Sequence, residues 1–553
     1  MPTTLRSIVF FASAVVAFAL PAAQAAAADA VPAAAAVFQF ATVVKTSAGE
    51  REAFLWIPPQ AEQVRGVLVA GMSSAERELV KDAAVRRACR AESLAIVFLT
   101  TGISSVNVQQ VLDDFAAASG YHELSVAPLF FAGHSAGGPQ AKAAAVAHRD
   151  RCFGVMQYRG GSPGIPANSL DPDPVPPGVP AVMMLGQYDE FGKVARDESG
   201  RENWENGVGA MRTFRSADAR NLGCFAVEPG AGHFAWSDRS AAYFALFLRK
   251  AAAQRIPDWS PDAKTPVTCR PIDATRGWLT ELPTRAAARH APAPATEYTG
   301  DPGDASWHFD REMAEATVAH HRGLVGKRDQ FIRWADPCTV KAGARFFFDG
   351  IAWIGDGQTF EVRPQFAETY PQQYDGEGPI WAQAGQPVGN SAQAIRVRPT
   401  GGPLVAVGPN AFRVQFDALA PAPGPKATAI IAFVDGDEQW RYAEQVGIVR
   451  SMVLTEGQEQ AITFPALPDM NAGDGNAVPA AIELNATSDS SLPVEYYVAH
   501  GPATIENGRL MLHELPRRAR LPIEIKVVAY QFGRGIEPRV KAATPVTRVL
   551  RVR

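Results

Sequence analysis

Cysteine is scarce: five residues in a chain of 553, at Cys89, Cys152, Cys224, Cys269 and Cys338. So few, so far apart, exclude a small disulfide scaffold, and none stands in a Cys-x-x-Cys pair of the kind zinc sites and thioredoxin-type centres use. Their odd number leaves at least one thiol unpaired within a monomer, and Cys224 with Cys269 is the pair preferred for a bridge. A positive excess is also missing. Lys and Arg number 53 against 57 Asp and Glu, a net charge of −4, which argues against a nucleic-acid binder relying on a basic surface. Neither H-E-x-x-H nor a P-loop occurs, so metalloprotease and nucleotide chemistry lack support. No metal and no organic cofactor is expected. Long apolar runs are absent apart from Ser7 to Leu20, which falls short of the roughly 20 residues a membrane span requires. Arg6 before that run and Ala23-Gln24-Ala25 after it make it a secretory signal peptide cut near Ala25. The mature protein is therefore expected to be secreted or periplasmic, without a membrane span.

What remains is an ordinary globular composition, 47% hydrophobic and 20% charged. At roughly 150 residues per domain the length suggests three or four domains. The 43 prolines and 47 glycines follow no fixed period and mark loops and turns. From 37 to 258 short apolar runs alternate with helical stretches. Gly66–Ala70, Ala95–Leu99, Leu129–Ala132, Val179–Leu185 and Cys224–Val227 have the pattern of buried strands. Helices are expected over Ala75–Glu92, Val108–Gly120, Gly137–His148 and Glu202–Ser216, and from Ser237 onward. This alternation implies a doubly wound, mostly parallel sheet covered on both faces. A Pro- and Ala-rich connector belongs to 259–334, with an amphipathic helix over Trp307–Ile332. Two β units follow, 335–470 and 476–553, in which short strands are separated by Asp-Gly turns, the signature of all-β sandwiches. Asp435-Gly436-Asp437 and Asp474-Gly475-Asn476 complete no calcium loop, and hairpin turns account for them better.

The chemistry concentrates at Gly133-His134-Ser135-Ala136-Gly137, which fits G-x-S-x-G between a predicted strand and a predicted helix. The glycines matter because a serine on so sharp a turn leaves no room for side chains two residues to either side. Serine is a weak nucleophile and needs a base that an acid orients. Asp189 follows the strand ending at Leu185 and is the preferred acid, with its neighbour Glu190 as the rival; Asp171 and Asp173 precede that strand and are worse placed. His233, in Gly230-Ala231-Gly232-His233, follows the next strand and is the preferred base. An oxyanion hole needs two backbone N–H donors. Ala136, next to the nucleophile, is one candidate; Met72 in the loop after the first buried strand is the other, with Ser73 behind it. His134, Tyr188 and Trp236 are candidates to line a substrate pocket, together with Trp204 and Phe234 as an aromatic rim.

On these motifs the segment 37–256 resembles an α/β-hydrolase, with Ser135, Asp189 and His233 matching that family's nucleophile, acid and base in order and setting. Its export and appended β units make the chain similar to secreted bacterial esterases, including feruloyl and acetylxylan esterases and polyester depolymerases. The resemblance implies hydrolysis of carboxylic esters, with acetyl or feruloyl esters on plant cell-wall polysaccharide as a substrate class. A serine peptidase of the same fold is the alternative, and a non-catalytic adhesion protein the next. The stretch from Thr487 through Gly501-Pro502-Ala503 resembles immunoglobulin-like repeats of bacterial surface proteins, which implies a spacer or accessory role.

Overall fold

A computed structural model describes residues 37–164, 173–189, 203–340, 346–371, 383–424, 427–450, 452–471 and 481–553. The signal segment, Asp171, Glu190 and Asp474-Gly475-Asn476 lie outside the described residues.

The chain begins with a hairpin, β1 (Phe40–Thr46) and β2 (Gly49–Trp56), then enters the predicted alternation at β3 (Gly66–Gly71). In order follow α1 (Ser74–Lys81), α2 (Ala83–Ala91), β4 (Leu94–Leu99), α3 (Val108–Ser119), β5 (Leu129–His134) and α4 (Gly137–Ala147). Next come β6 (Cys152–Tyr158), β7 (Ala181–Gly186), α5 (Asn203–Ala217), β8 (Gly223–Glu228) and α6 (Asp238–Arg255). The eight strands form one sheet in the order β1-β2-β4-β3-β5-β6-β7-β8. Strands β3 to β8 pair in parallel, while β1 and β2 run antiparallel at one edge. This is the α/β-hydrolase fold.

Apolar residues on both sides of each inner strand explain the double layer. Val67 and Val69 point into one core and Leu68 and Ala70 into the other; on β5, Phe131 and Phe130 divide in the same way. Each face is then closed by the apolar stripes of the helices. The single helix expected over Ala75–Glu92 is two: Asp82 interrupts it and caps α2, accepting from the Ala84 and Val85 N–H groups at 2.7 and 3.2 Å. Strand β6 escaped the sequence pattern because Gly154 and Gln157 break its apolar run. Gly154 is required there, since a Cβ would lie 2.5 Å from the Phe130 ring.

The segment read as a connector is largely structured. It contributes β9 (Trp278–Glu281), β10 (Ala293–Pro294) and β11 (Ala305–His308), a small sheet ordered β10-β9-β11. The helix expected over Trp307–Ile332 is shorter: Trp307 belongs to β11, α7 covers only Arg311–His320, and Ile332 opens another strand. Asp310 caps α7 through the Met313 N–H, and Gly323 and Gly326, both with positive φ, end the run. Trp307, Phe309 and Met313 pack into the hydrolase core beneath α6.

Beyond Ile332 the described strands pair in small antiparallel sheets, among them Arg396–Thr400, Ala427–Val434 and Ala443–Arg450 side by side. Asp437 spends its carboxylate on the Gln439 and Trp440 N–H groups, as a turn residue does. One core joins Phe360, Phe412 and Ile430 with Tyr497, Val528, Tyr530 and Phe532, residues from both expected β units. The last part of the chain also lies on the hydrolase: Gly501 N–H donates to Phe38 O and Arg520 N–H to Ser119 O, both at 2.8 Å, and Arg518 meets Glu123 at 2.9 Å. Among the described residues no helix is long and apolar enough to cross a membrane.

The Cys224–Cys269 bridge does not form; all five cysteines are free and buried. Cys224 Sγ lies instead 2.9 Å from the Tyr243 hydroxyl, while Cys269 N–H donates to the Asp150 carbonyl at another edge of the core. Burial pushes the Cys89, Cys152 and Cys224 thiols up to about 12. An aromatic disulfide reagent should therefore titrate five thiols in denaturant and react with the native protein only at the rate of unfolding. Fewer than five after unfolding would reveal a bridge, and a fast native thiol would reveal an accessible one.

Candidate active site

Ser135 follows β5 directly and has φ +54°, a left-handed backbone rare for any residue with a side chain. Its N–H donates to the Tyr158 carbonyl and its own carbonyl accepts from Gly138 N–H, both at 3.0 Å, which closes the turn into α4. The turn tolerates no bulk: a Cβ on Gly133 would lie 2.0 Å from the Gly137 carbonyl oxygen, and one on Gly160 2.2 Å from that of Ser135. Met72, immediately after β3, has φ +82°, and Arg159, immediately after β6, has φ +48°. Three adjacent strands thus end in strained residues at one edge of the sheet. At an order of 1 to 3 kcal/mol each, such strain gathers where a fold builds a site.

The remaining expected triad members come from the same edge. Asp189 follows β7 and His233 follows β8, and both Asp189 carboxylate oxygens lie 2.9 Å from His233 Nδ1. Both side chains are buried, while Ser135 is half-buried and Ala136 exposed. The two loops are laced together, Tyr188 N–H to Ala231 O at 2.8 Å and Gly230 N–H to Gln187 Oε1 at 2.9 Å. Glu190 lies outside the described residues.

His134 ties the nucleophile turn to the histidine loop. Its ring centroid is 4.8 Å from that of His233, and Nε2 lies 2.9 Å from the His233 carbonyl oxygen. A carbonyl only accepts, so Nε2 carries the proton. Burial first, then the neighbouring His233, pull the His134 pKa well below its ordinary value, so the ring is neutral and Nδ1 accepts from the Ser73 hydroxyl at 2.7 Å. Both nitrogens of His134 are therefore committed within the protein. The other expected pocket residues are committed too. The Tyr188 hydroxyl donates to Asp329 and accepts from Arg441, and the Trp236 indole N–H reaches Asp82 at 3.3 Å against the Tyr158 ring. His134, Tyr188 and Trp236 are buried, at 2, 3 and 6% exposure. Trp204 is buried as well, and only Phe234 of the proposed rim is half-exposed, packed between His233 and Phe346.

Ala136 sits at the start of α4, where the N-terminal helix dipole favours a developing anion. The Met72 N–H is already donated to the Leu99 carbonyl at 2.9 Å, and the Ser73 N–H to Glu76 at 2.6 Å. Neither is free to serve an oxyanion in this geometry.

Several residues that the sequence reading passed over hold the site. Glu76, in the capping box Ser73-x-x-Glu76 of α1, reaches under the nucleophile turn and accepts from His134 N–H at 2.9 Å. Burial lifts its carboxyl to about 7 against the hydrogen bonds from Ser73 and His134. Arg159 is fully buried over the Tyr158 ring; it meets Glu228 at 2.8 Å and Glu444 at 3.2 Å, and donates to the Gly232 carbonyl. Burial opposes the Glu228 charge, but Arg159, with help from more distant cations and Ser237, overrides it and brings the carboxyl down to about 2. The capping box was readable in the sequence; Arg159, Glu228 and Glu444 carry no local pattern.

No protein-family model matches the chain, and no curated protein matches it. Solved structures do resemble it. A hyperthermophilic esterase from the archaeon Pyrobaculum calidifontis is 13% identical over 38% of this chain and 85% of its own, with a TM-score of 0.27. A poly(3-hydroxybutyrate) depolymerase from Bordetella parapertussis is 15% identical over 40% and 92%, TM-score 0.28. An α/β serine hydrolase without a lid from Xanthomonas campestris is 15% identical over 40% and 97%, TM-score 0.28.

Glu76 yields a pH prediction. Its folded pKa stands near 7 against an ordinary 4.5, so the stability it contributes is present below about 4.5 and is lost as pH rises through about 7. At 1.36 kcal/mol per unit the loss is at most about 3 kcal/mol. Glu76→Gln keeps the shape without the titration. Its Tm relative to wild type should rise by a few degrees between pH 4.5 and pH 8; a difference that stays constant with pH would show that Glu76 does not titrate in this range.

Proposed function

We propose that this protein is an exported serine hydrolase that cleaves carboxylic esters through an acyl-enzyme. The observation that carries the reading is the convergence at one sheet edge of a serine on a strained left-handed turn with a buried histidine whose Nδ1 faces both oxygens of one aspartate. Ser135 attacks the ester carbonyl while His233 takes its proton. Asp189 fixes the tautomer in which Nε2 carries no proton and can take this one, and it stabilises the imidazolium that forms. The tetrahedral oxyanion is met by the Ala136 N–H at the start of α4. His233 then protonates the leaving alcohol, and a water it activates releases the acid from Ser135. No step calls on a cofactor.

Export rests on the run from Ser7 to Leu20 and the Ala23-Gln24-Ala25 site behind it. Within ester hydrolysis we favour acetyl or feruloyl groups carried on plant polysaccharide, with the C-terminal β region as an accessory surface. A panel of acetylated, feruloylated and glucuronoylated xylan fragments, run beside short p-nitrophenyl esters and an aminoacyl anilide, tests both levels. Anilide cleavage outrunning the esters would favour a peptidase instead.

Two substitutions test the chemistry. Ser135→Ala should lower kcat on a p-nitrophenyl ester by several orders of magnitude in a folded protein, since a triad acts as a unit. Asp189→Asn should cost roughly 10⁴-fold by leaving the imidazole in the wrong tautomer. Near-wild-type turnover in Ser135→Ala would remove the nucleophile from this reading. A smaller loss in Asp189→Asn than in Glu190→Gln would pass the acid role to Glu190.

A further inference from the structure

The histidine loop is held from outside the hydrolase sheet. Glu444, on the strand Ala443–Arg450, lies more than two hundred residues beyond the base, yet its Oε1 accepts from the Gly232 N–H at 2.7 Å. The same oxygen meets Arg159 at 3.2 Å, and Oε2 accepts from the Tyr442 hydroxyl at 2.6 Å. Arg159 in turn donates to the Gly232 carbonyl, so both sides of the residue preceding His233 are gripped by one buried ion network. Backbone packing adds to the hold. Gly230 has φ +73°, and a Cβ there would stand 1.7 Å from the Tyr442 carbonyl oxygen. Next to it Arg441 bonds the Tyr188 hydroxyl at 2.7 Å, beside the acid Asp189. Three residues within four positions of the C-terminal region, Arg441, Tyr442 and Glu444, thus brace the acid loop, the histidine loop and the cation between them.

We propose that Glu444 is a positioning residue for His233, and that the active centre is assembled from both the hydrolase sheet and the C-terminal β region. The kinetic part of this proposal rests on the serine-hydrolase reading; the positioning itself does not. With Glu444 in place the two peptides flanking Gly232 are both held, the N–H of one by Glu444 and the carbonyl of the other by Arg159. The His233 ring then has a fixed start for its path to Asp189. Charge-assisted bonds of this kind are short and directional, and displacement of a reacting group by about 1 Å costs on the order of 100-fold in rate.

Three variants of the full chain test it. Glu444→Gln retains an acceptor for Gly232 but drops the charge, Glu444→Ala removes both, and Tyr442→Phe removes only the hydroxyl on the far oxygen. Turnover of a p-nitrophenyl ester is expressed per site titrated with a fluorophosphonate, so unfolded molecules do not count. Per titrated site, Glu444→Ala should lose on the order of 10- to 100-fold in kcat, with KM within roughly threefold. Glu444→Gln and Tyr442→Phe should lose several-fold. Removing the carboxylate changes the charge of the network that holds Gly232, so the kcat/KM pH profile should differ from wild type in both Glu444 variants. The downfield proton NMR signal of the His233 Nδ1–H, identified by its loss in His233→Gln, should shift or broaden in both Glu444 variants and remain in Glu459→Gln, an exposed surface control.

Unchanged kcat per titrated site, pH profile and downfield signal in folded Glu444→Gln and Tyr442→Phe would overturn the proposal even if Glu444→Ala does not fold. A lower melting temperature with unchanged kcat per site would reduce Glu444 to a merely stabilising role and overturn it as well. If the wild-type chain hydrolyses no ester and takes no fluorophosphonate, the functional reading fails, and the NMR arm still decides the positioning.

Discussion

One fully buried guanidinium governs this molecule. Arg159 is buried with its side chain wholly covered, and an isolated charge in that position would cost many kcal/mol. Its neutralisation dictates where the surrounding chain goes. Glu228 must end β8 beside it, the Gly232 carbonyl must turn toward it, and Glu444 must come in from the far side. The left-handed turn that presents Arg159 also lays Gly160 flat beneath the Ser135 carbonyl. Nucleophile turn and histidine loop are therefore anchored on one residue pair, Arg159-Gly160. Removing either carboxylate would leave part of that charge uncompensated, and breaking buried pairs is far more disruptive than replacing them whole.

The features of the site that the sequence displayed are those encoded within a few residues. Gly133-x-Ser135-x-Gly137 between an apolar run and an Ala-rich helix predicts a strand–turn–helix, and the structure has one there. Asp189 and His233 were placed by following the next two strands, and the fold brings their side chains together. Depth was not legible. Tyr188 and Trp236 are amphipathic residues that serve equally on a rim or in a core, and only their partners, Arg441 with Asp329 and Asp82, reveal which. Met72 was a sound choice by position, yet whether its N–H is free depends on the Leu99 carbonyl of the neighbouring strand. Strand β6 was hidden by Gly154, which serves the packing of Phe130 rather than the hydrophobic pattern. The expected long helix after Trp307 failed because a short apolar run reads alike in a strand and in a helix, and Trp307 belongs to β11. Glu444 was beyond reach altogether: its partner Arg159 is 285 residues away, and no periodicity records such a contact.

Long-range closure also changes what the C-terminal β region is. A module hung on a flexible linker would share no core with its neighbour and few directional bonds. Here Gly401 N–H donates to Glu78 at the end of the loop-and-helix unit beside the nucleophile, and Arg77 donates back to the Gly401 carbonyl at 2.8 Å. Arg518 and Arg520 grip the opposite end of the sheet through Glu123 and Ser119. The later strands behave as a brace clamped at three points, on the helix after β3, on the histidine loop and on the turn after α3.

The bond from the Gly501 N–H to the Phe38 carbonyl joins the segment just before β1 to the last tenth of the sequence. Synthesis runs from the N-terminus, so the β1–β2 edge emerges long before its cover exists. Throughout that interval the start of the chain lacks its bond to Gly501, and the histidine loop lacks Glu444 until residue 444 has been added. Maturation is thus ordered in time by the position of the contacts along the chain, and non-local contacts of this span are the slow ones to form.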